Sequence, residues 1–174
     1  MTSDLPFPPY RHRPGRTPHP ERDPAGHRFF EQLPPGLLPA EAVPLAAIPD
    51  ARLFRYGEEL FRGAYWWEAH AVWEELWRAA PRGEDGETPE REVLRAFIQL
   101  AAAALRKELG GLRGSRKLLN AALGGMERAE RRAAAPALRL RFERLRADAG
   151  LTACGETRVS AEAPTGRTGG EAPG

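Results

Sequence analysis

The chain has 174 residues, a net charge of +2, 41% hydrophobic residues and one cysteine. That is the length of about one domain with a real core, while Cys154 by itself excludes an internal disulfide or a cysteine-only metal cluster and fits a reducing compartment. No apolar run reaches the ~18–20 residues of a membrane helix, and the opening MTSDLPFPPYRHRPGRTPHP lacks the apolar stretch of a signal peptide, so a soluble, cytoplasmic protein is expected.

Charge is uneven. Residues 51–110 carry 9 basic and 11 acidic side chains, whereas 111–150 carry 10 basic and 4 acidic. A basic helical half invites a nucleic-acid reading, but no nucleic-acid motif accompanies it, so a solvated arginine face is the expectation.

Residues 1–28 are rich in Pro, Arg and His and show no hydrophobic period, which predicts a disordered tail holding His12, His19 and His27. Residues 29–49 hold apolar residues broken by five prolines and should drape over the domain with at most one short helical turn. A single helical domain is expected over 29–150, with a second disordered tail over 151–174. Asp50 is placed to cap a helix over 51–62, with Leu53, Phe54, Gly57, Leu60 and Phe61 as its buried stripe and Gly63 as its terminator. Gly57 on that stripe would let a neighbouring helix approach closely.

A Trp-rich helix follows over about 65–79 and stops near Pro81. Thr88 and Pro89 read as N-cap and first turn of a long helix ending at Gly110–Gly111. Its middle, AFIQLAAAAL, is apolar nearly all round, which puts it centrally in a bundle. A fourth helix is expected over 112–132 with Leu118, Leu119, Ala122, Leu123 and Met126 inward and a possible break at Gly124–Gly125. A fifth starts at Pro136, with Leu138, Phe142, Leu145 and Ala149 on one face. The expected fold is an all-α compact bundle of about five helices with short connections.

The segment YWWEAHAVWEELW carries the main chemical signal. With His70 at zero and about 100° per residue, Trp66, Trp67, Trp73, Trp77 and Glu74 fall at roughly −40°, +60°, −60°, −20° and +40°. His70 and Glu74 are thus expected inside the aromatic arc that faces the core. Glu68 falls on the far side, at about +160°. Buried polar groups need partners. One reading makes His70 and Glu74 a satisfied core network. The other makes them a Trp-walled pocket with candidate catalytic residues, a general acid and base. On the long helix Arg95, Gln99 and Arg106 form a polar stripe. The first reading of that stripe is the solvent face of the helix; if the helix is central, Gln99 should instead meet Glu74.

A metal is not expected. His70 and Glu74 make a two-ligand face, but no second Glu-x-x-His pair exists, and Glu58, Glu59, Glu92 or Glu108 would have to complete the set. No cofactor motif is present.

Three segments resemble a known pattern: GAYWWEAHAVWEELW at 63–77, LRAFIQLAAAAL at 94–105 and GGLRGSRKLL at 110–119. They are similar to the G-x-Y-W-E-A-H-E-V-W-E-x-L-W, L-Q-G-L-I-Q-L-A-A-A-L and G-N-x-x-G-A-x-x-L-L segments of the small bacterial and archaeal helical proteins of domain of unknown function 309. The resemblance covers Glu58 to Met126. It implies a compact all-α fold and no established activity. Glu68, His70, Glu74 and Gln99 match the pattern, whereas Ala71, Arg95 and Ala96 stand where it has Glu, Gln and Gly.

With no nucleophile elbow, P-loop or dinucleotide fingerprint, the favoured function is a helical module that binds a protein partner or self-associates into a homo-oligomer, without membrane or nucleic acid. Its pocket residues are expected among Trp66, Glu68, Trp73, Trp77 and Gln99. The alternative is a small enzyme, hydrolase-like or metal-dependent, using His70 and Glu74.

Overall fold

The structure, a computed structural model, describes residues 3–38, 41–84 and 86–152. They contain five α-helices: α1 (Arg52–Arg62), α2 (Trp66–Ala79), α3 (Pro89–Glu108), α4 (Leu112–Arg132) and α5 (Pro136–Asp148). Two 3-10 segments, Phe29–Gln32 and Leu45–Asp50, precede them, where the sequence predicts at most one short helical turn. Among the described residues there is no strand, only an isolated bridge between Gly83 and Gly86. None of the helices is long and apolar enough to cross a membrane.

The helices follow their sequence signals closely. Thr88 caps α3 by accepting the Arg91 N–H, with Pro89 in the first turn. The same helix closes through Gly110 at φ 82°, whose left-handed turn lets Gly111 N–H reach the Arg106 carbonyl at 2.9 Å. α4 runs unbroken through Gly124–Gly125. Two expectations for α1 need correction. Asp50 ends the preceding 3-10 turn, and the N-cap position belongs to Ala51, which offers no side-chain cap. At the other end the left-handed residue is Ala64 (φ 63°), one position after Gly63 (φ −74°). Ala64 N–H bonds the Phe61 carbonyl and Tyr65 N–H the Leu60 carbonyl, a Schellman closure with alanine where glycine is the usual choice.

The core is built around Trp73. Its ring centre lies 5.2 Å from that of Phe97 and 6.0 Å from those of Phe54 and Phe61, and Phe97 in turn meets Phe142 at 5.6 Å. These five aromatics tie α1, α2, α3 and α5 together. Gly57 permits the central contact: a Cβ there would overlap the Trp73 indole nitrogen and come within 2.7 Å of Cε2. The indole N–H donates to the Phe54 carbonyl at 3.3 Å. α4 packs on α3 through small residues. Ser115 donates to the Ala103 carbonyl at 2.8 Å, and Gly125 faces Ala96. Leu119, Ala122 and Met126 are buried as expected, whereas Leu118 and Leu123 are only partly covered.

Residues 3–28 depart from the expected disorder. They form an irregular strap laid across the helices, and its loose ends of hydrogen bonding are taken up by helix carboxylates. Ser3 donates its N–H and hydroxyl to Glu59. Tyr56 donates to the Pro6 carbonyl at 2.6 Å. Phe7 stacks on Tyr65 at 5.1 Å, and Arg11 and Arg13 both pair with Glu108. Low hydrophobicity made the segment look unstructured. It is held by polar contacts that composition does not reveal. The second expected tail lies, from residue 153 onward, outside the described residues.

The arginine-rich half is engaged in part with the bundle. Arg128 pairs with Glu92, Arg139 with Glu130 and Glu143, Arg141 with Glu58, and Arg146 with Glu143.

Two substitutions test this packing. Gly57→Ala gains up to ~1 kcal/mol of helix propensity but forces Trp73 from its seat, and overpacking of this kind costs ~1–3 kcal/mol. A net loss of stability is expected in a urea titration, and an unchanged or raised midpoint would refute the close approach. Ala64→Gly should do the opposite. Relief of the left-handed alanine outweighs the added freedom of the unfolded chain, for a net gain of about 0.5–1 kcal/mol, read as a higher Tm.

Candidate functional site

The seat of Trp73 sets the rotation of α2. Ala69, Val72, Trp73 and Leu76 are buried in the core, which centres the inward direction near −110° on the wheel used above. His70 and Glu74 lie more than about 100° from it. The expected inward arc is therefore corrected: of its four tryptophans only Trp73 enters the core, and the polar pair sits at the rim. The His70 and Glu74 side chains are 33% and 36% exposed.

Trp77 turns toward α3. The Arg91 guanidinium lies 3.8 Å from its ring centre and Arg95 lies at 5.6 Å, while the Trp77 carbonyl accepts from Arg91 at 2.8 Å. Trp66 and Trp67 stay half-buried beside the strap, where His12 and His19 each approach the Trp67 ring edge-on at 5.3 Å.

His70 and Glu74 do not form a tight pair. His70 Nε2 is 3.9 Å from Glu74 Oε2, beyond hydrogen-bond reach, and the same oxygen accepts from Arg78 at 3.1 Å. The Ile98 carbonyl also acts on the imidazole and favours its protonated form. Burial pushes the His70 pKa down, against the pull of Glu74 and the Ile98 carbonyl, so the ring is neutral at pH 7. Gln99, expected to meet Glu74, is half-buried and makes no hydrogen bond to it.

Two cavities flank His70 and Trp67. One, of about 390 Å³, runs between α2, α3, α4 and the strap and is lined by Pro14, Trp66, Ala102, Leu105, Arg106, Leu109 and Leu118 as well as by His70 and Trp67. It is mainly apolar. The other, of about 300 Å³, is more polar, with His19, Glu21, Arg22, Glu74 and Arg78 around it. Sequence periodicity missed the α3 wall of the first cavity. Ala102 and Leu105 belong to a run that is apolar all round, and nothing in the run says which residues a neighbouring helix leaves uncovered. Trp73 and Trp77 line neither cavity.

Glu68, which the wheel places on the far side of α2, is fully buried because the strap covers it. Its Oε1 accepts the His12 N–H at 2.7 Å and lies 3.3 Å from His27 Nε2. Oε2 has no hydrogen-bond partner, and neither has His27 Nδ1. Burial raises the Glu68 pKa, while the hydrogen bonds from His12 and His27 hold it back. Burial and then the Glu68 charge push the Tyr56 hydroxyl up as well. His12 is pushed down, first by burial and then by His19. His12, His19 and His27, read from sequence as inert tail residues, thus gather around Trp67 and Glu68.

Among the described residues no group of three or more His, Cys, Asp or Glu side chains could hold a metal ion. The carboxylates considered as further ligands are occupied elsewhere: Glu58 by Arg141, Glu59 by Ser3, Glu92 by Arg128 and Glu108 by the strap arginines.

The buried carboxylate generates a pH test. Between the ordinary carboxylate pKa and the raised folded value, the native state binds more protons than the unfolded chain, so Glu68 makes stability fall as pH rises through that window. Glu68→Gln removes this contribution. The stability difference between wild type and variant, followed by urea midpoints from pH 4 upward on the order of three units, should change in favour of the variant as pH rises. A pH-independent difference would mean that Glu68 is not held in a desolvated site.

No curated protein and no solved structure matches the chain. A family model does match, over residues 54–118, a stretch that runs from the first turn of α1 into α4 and includes Trp66, His70, Glu74 and the α3 wall of the apolar cavity. Over that stretch the chain is similar to the family described as domain of unknown function (DUF309).

Proposed function

We propose that this protein is a non-enzymatic helical binding module, and that the groove between α2, α3, α4 and the strap receives an apolar group of its partner. The observation that carries this reading is the cavity of about 390 Å³ walled by Trp66, Trp67, Leu105, Leu109 and Leu118. It lies within the ~300–1,000 Å³ range of small-ligand sites. Its walls come from rigid helices, so the group would meet a largely pre-formed surface.

Catalysis by His70 and Glu74 is the other reading, and three features weigh against it. The pair is too far apart to share a proton, Arg78 holds the carboxylate, and neither cavity is lined by a Ser, Thr, Cys or Lys nucleophile. The half-exposed imidazole fits better as a neutral polar point on the groove wall that orients a bound group.

A neutral fluorescent probe, phenylnaphthylamine, tests the reading. Saturable enhancement with one probe per chain is expected. Ala102→Trp, which fills the groove from a half-buried position on α3, should abolish it while circular dichroism and the unfolding midpoint stay near wild type. Undiminished binding to the folded variant would refute the proposal.

A further inference from the structure

The groove's lining has an unbalanced charge. Among its residues Arg106 is the one permanently charged side chain, and no carboxylate lines it. Two basic residues of the strap, Arg11 and Arg13, share one carboxylate, Glu108, and neither lines the groove. Arg106 is exposed and has no ion pair or side-chain hydrogen bond among the described residues.

Its position is nonetheless constrained. Arg106 Cδ would lie 3.4 Å from a Cβ at Gly111 and 3.8 Å from one at Gly114, so the aliphatic stem rests on the two glycines where α3 turns into α4. The Gly111 N–H bonds the Arg106 carbonyl at 2.9 Å, which fixes that turn. A long cationic side chain laid on a glycine surface at the edge of an apolar groove loses less freedom on meeting an anion than one free in solvent.

We infer that the natural ligand of the groove is an apolar acid, an aromatic or branched aliphatic body carrying a carboxylate or comparable anion, with the body between Trp66, Leu105 and Leu118 and the anion on the Arg106 guanidinium. The inference rests on the groove being a binding site, and it adds the class of ligand. Arg106 determines specificity, because an apolar body without charge would fill the same walls. The neutral His70 ring takes no part in the charge pairing and sits on the α2 side of the body.

A matched pair of probes tests it. Anilinonaphthalene sulfonate has the aromatic body of phenylnaphthylamine plus an anion. The wild-type protein should bind the anionic probe more tightly than the neutral one, and added salt should weaken the anionic probe alone. Arg106→Gln should weaken the anionic probe by about two- to fivefold, the scale of one partly exposed ion pair, and leave the neutral probe unchanged. Arg106→Lys should restore part of the loss. Arg131→Gln, at an exposed arginine toward the far end of α4, controls for net charge and should have no effect.

The inference is overturned if Arg106→Gln leaves the anionic probe unaffected, if it weakens both probes equally, or if Arg131→Gln weakens the anionic probe as much. These results differ from failure of the groove itself. In that case Ala102→Trp would leave the neutral probe bound, whatever Arg106 does.

Discussion

An indole ring seated on a glycine sets the geometry of this bundle. Trp73 is the largest fully buried side chain, and it can lie against α1 only because Gly57 has no Cβ to meet it. The N–H that would otherwise be orphaned in the core finds the Phe54 carbonyl. Such a contact allows little rotation of either helix, since packed interiors have no slack to absorb it. Once α2 is fixed in this phase, Ala69, Val72 and Leu76 follow Trp73 inward. Glu68 turns to one flank, and His70 and Glu74 to the other.

The two flanks are then treated differently. On the Glu68 side the strap closes over the helix, bringing a backbone N–H from His12 and the imidazole of His27 to a carboxylate that water cannot reach. A buried charge with one bare oxygen carries a desolvation cost, and the polar contacts of the strap offset only part of it. The strap has little regular hydrogen bonding of its own. Glu59, Glu68 and Glu108, one on each of α1, α2 and α3, supply acceptors along its length. It belongs to the folded unit even though it lies outside the stretch matched by the family.

On the His70 side nothing closes fully. α4 leans on α3 through alanine, serine and glycine, which brings those two backbones close and leaves Ala102 and Leu105 uncovered toward α2. The strap contributes Pro14 to the rim without filling the space. The half-buried aromatics and the neutral imidazole thus face a cavity of ligand size. Arg106, propped on the glycine turn, supplies its charge. Small residues at one interface create the recess at the next.

Read without coordinates, the chain determines its helices. Thr88–Pro89, Gly110–Gly111 and Pro136 mark their ends by local backbone chemistry, and the α1 stripe through Gly57 shows its buried face. Those signals act within a few residues, so they survive without knowledge of the fold. What the sequence did not contain was the direction of α2. Four tryptophans in fourteen positions give an apolar arc wider than the core can receive, and amphipathic period alone cannot choose which part of it enters. Tertiary packing chose Trp73, through a glycine on another helix. The fate of Glu68 was equally invisible, because its cover comes from a proline-rich segment about forty to fifty-six residues earlier, and contacts at that separation leave no mark in local composition. The groove and its cation exist only where three helices and that segment meet, so the site belongs to the tertiary structure, while the helices that frame it belong to the sequence.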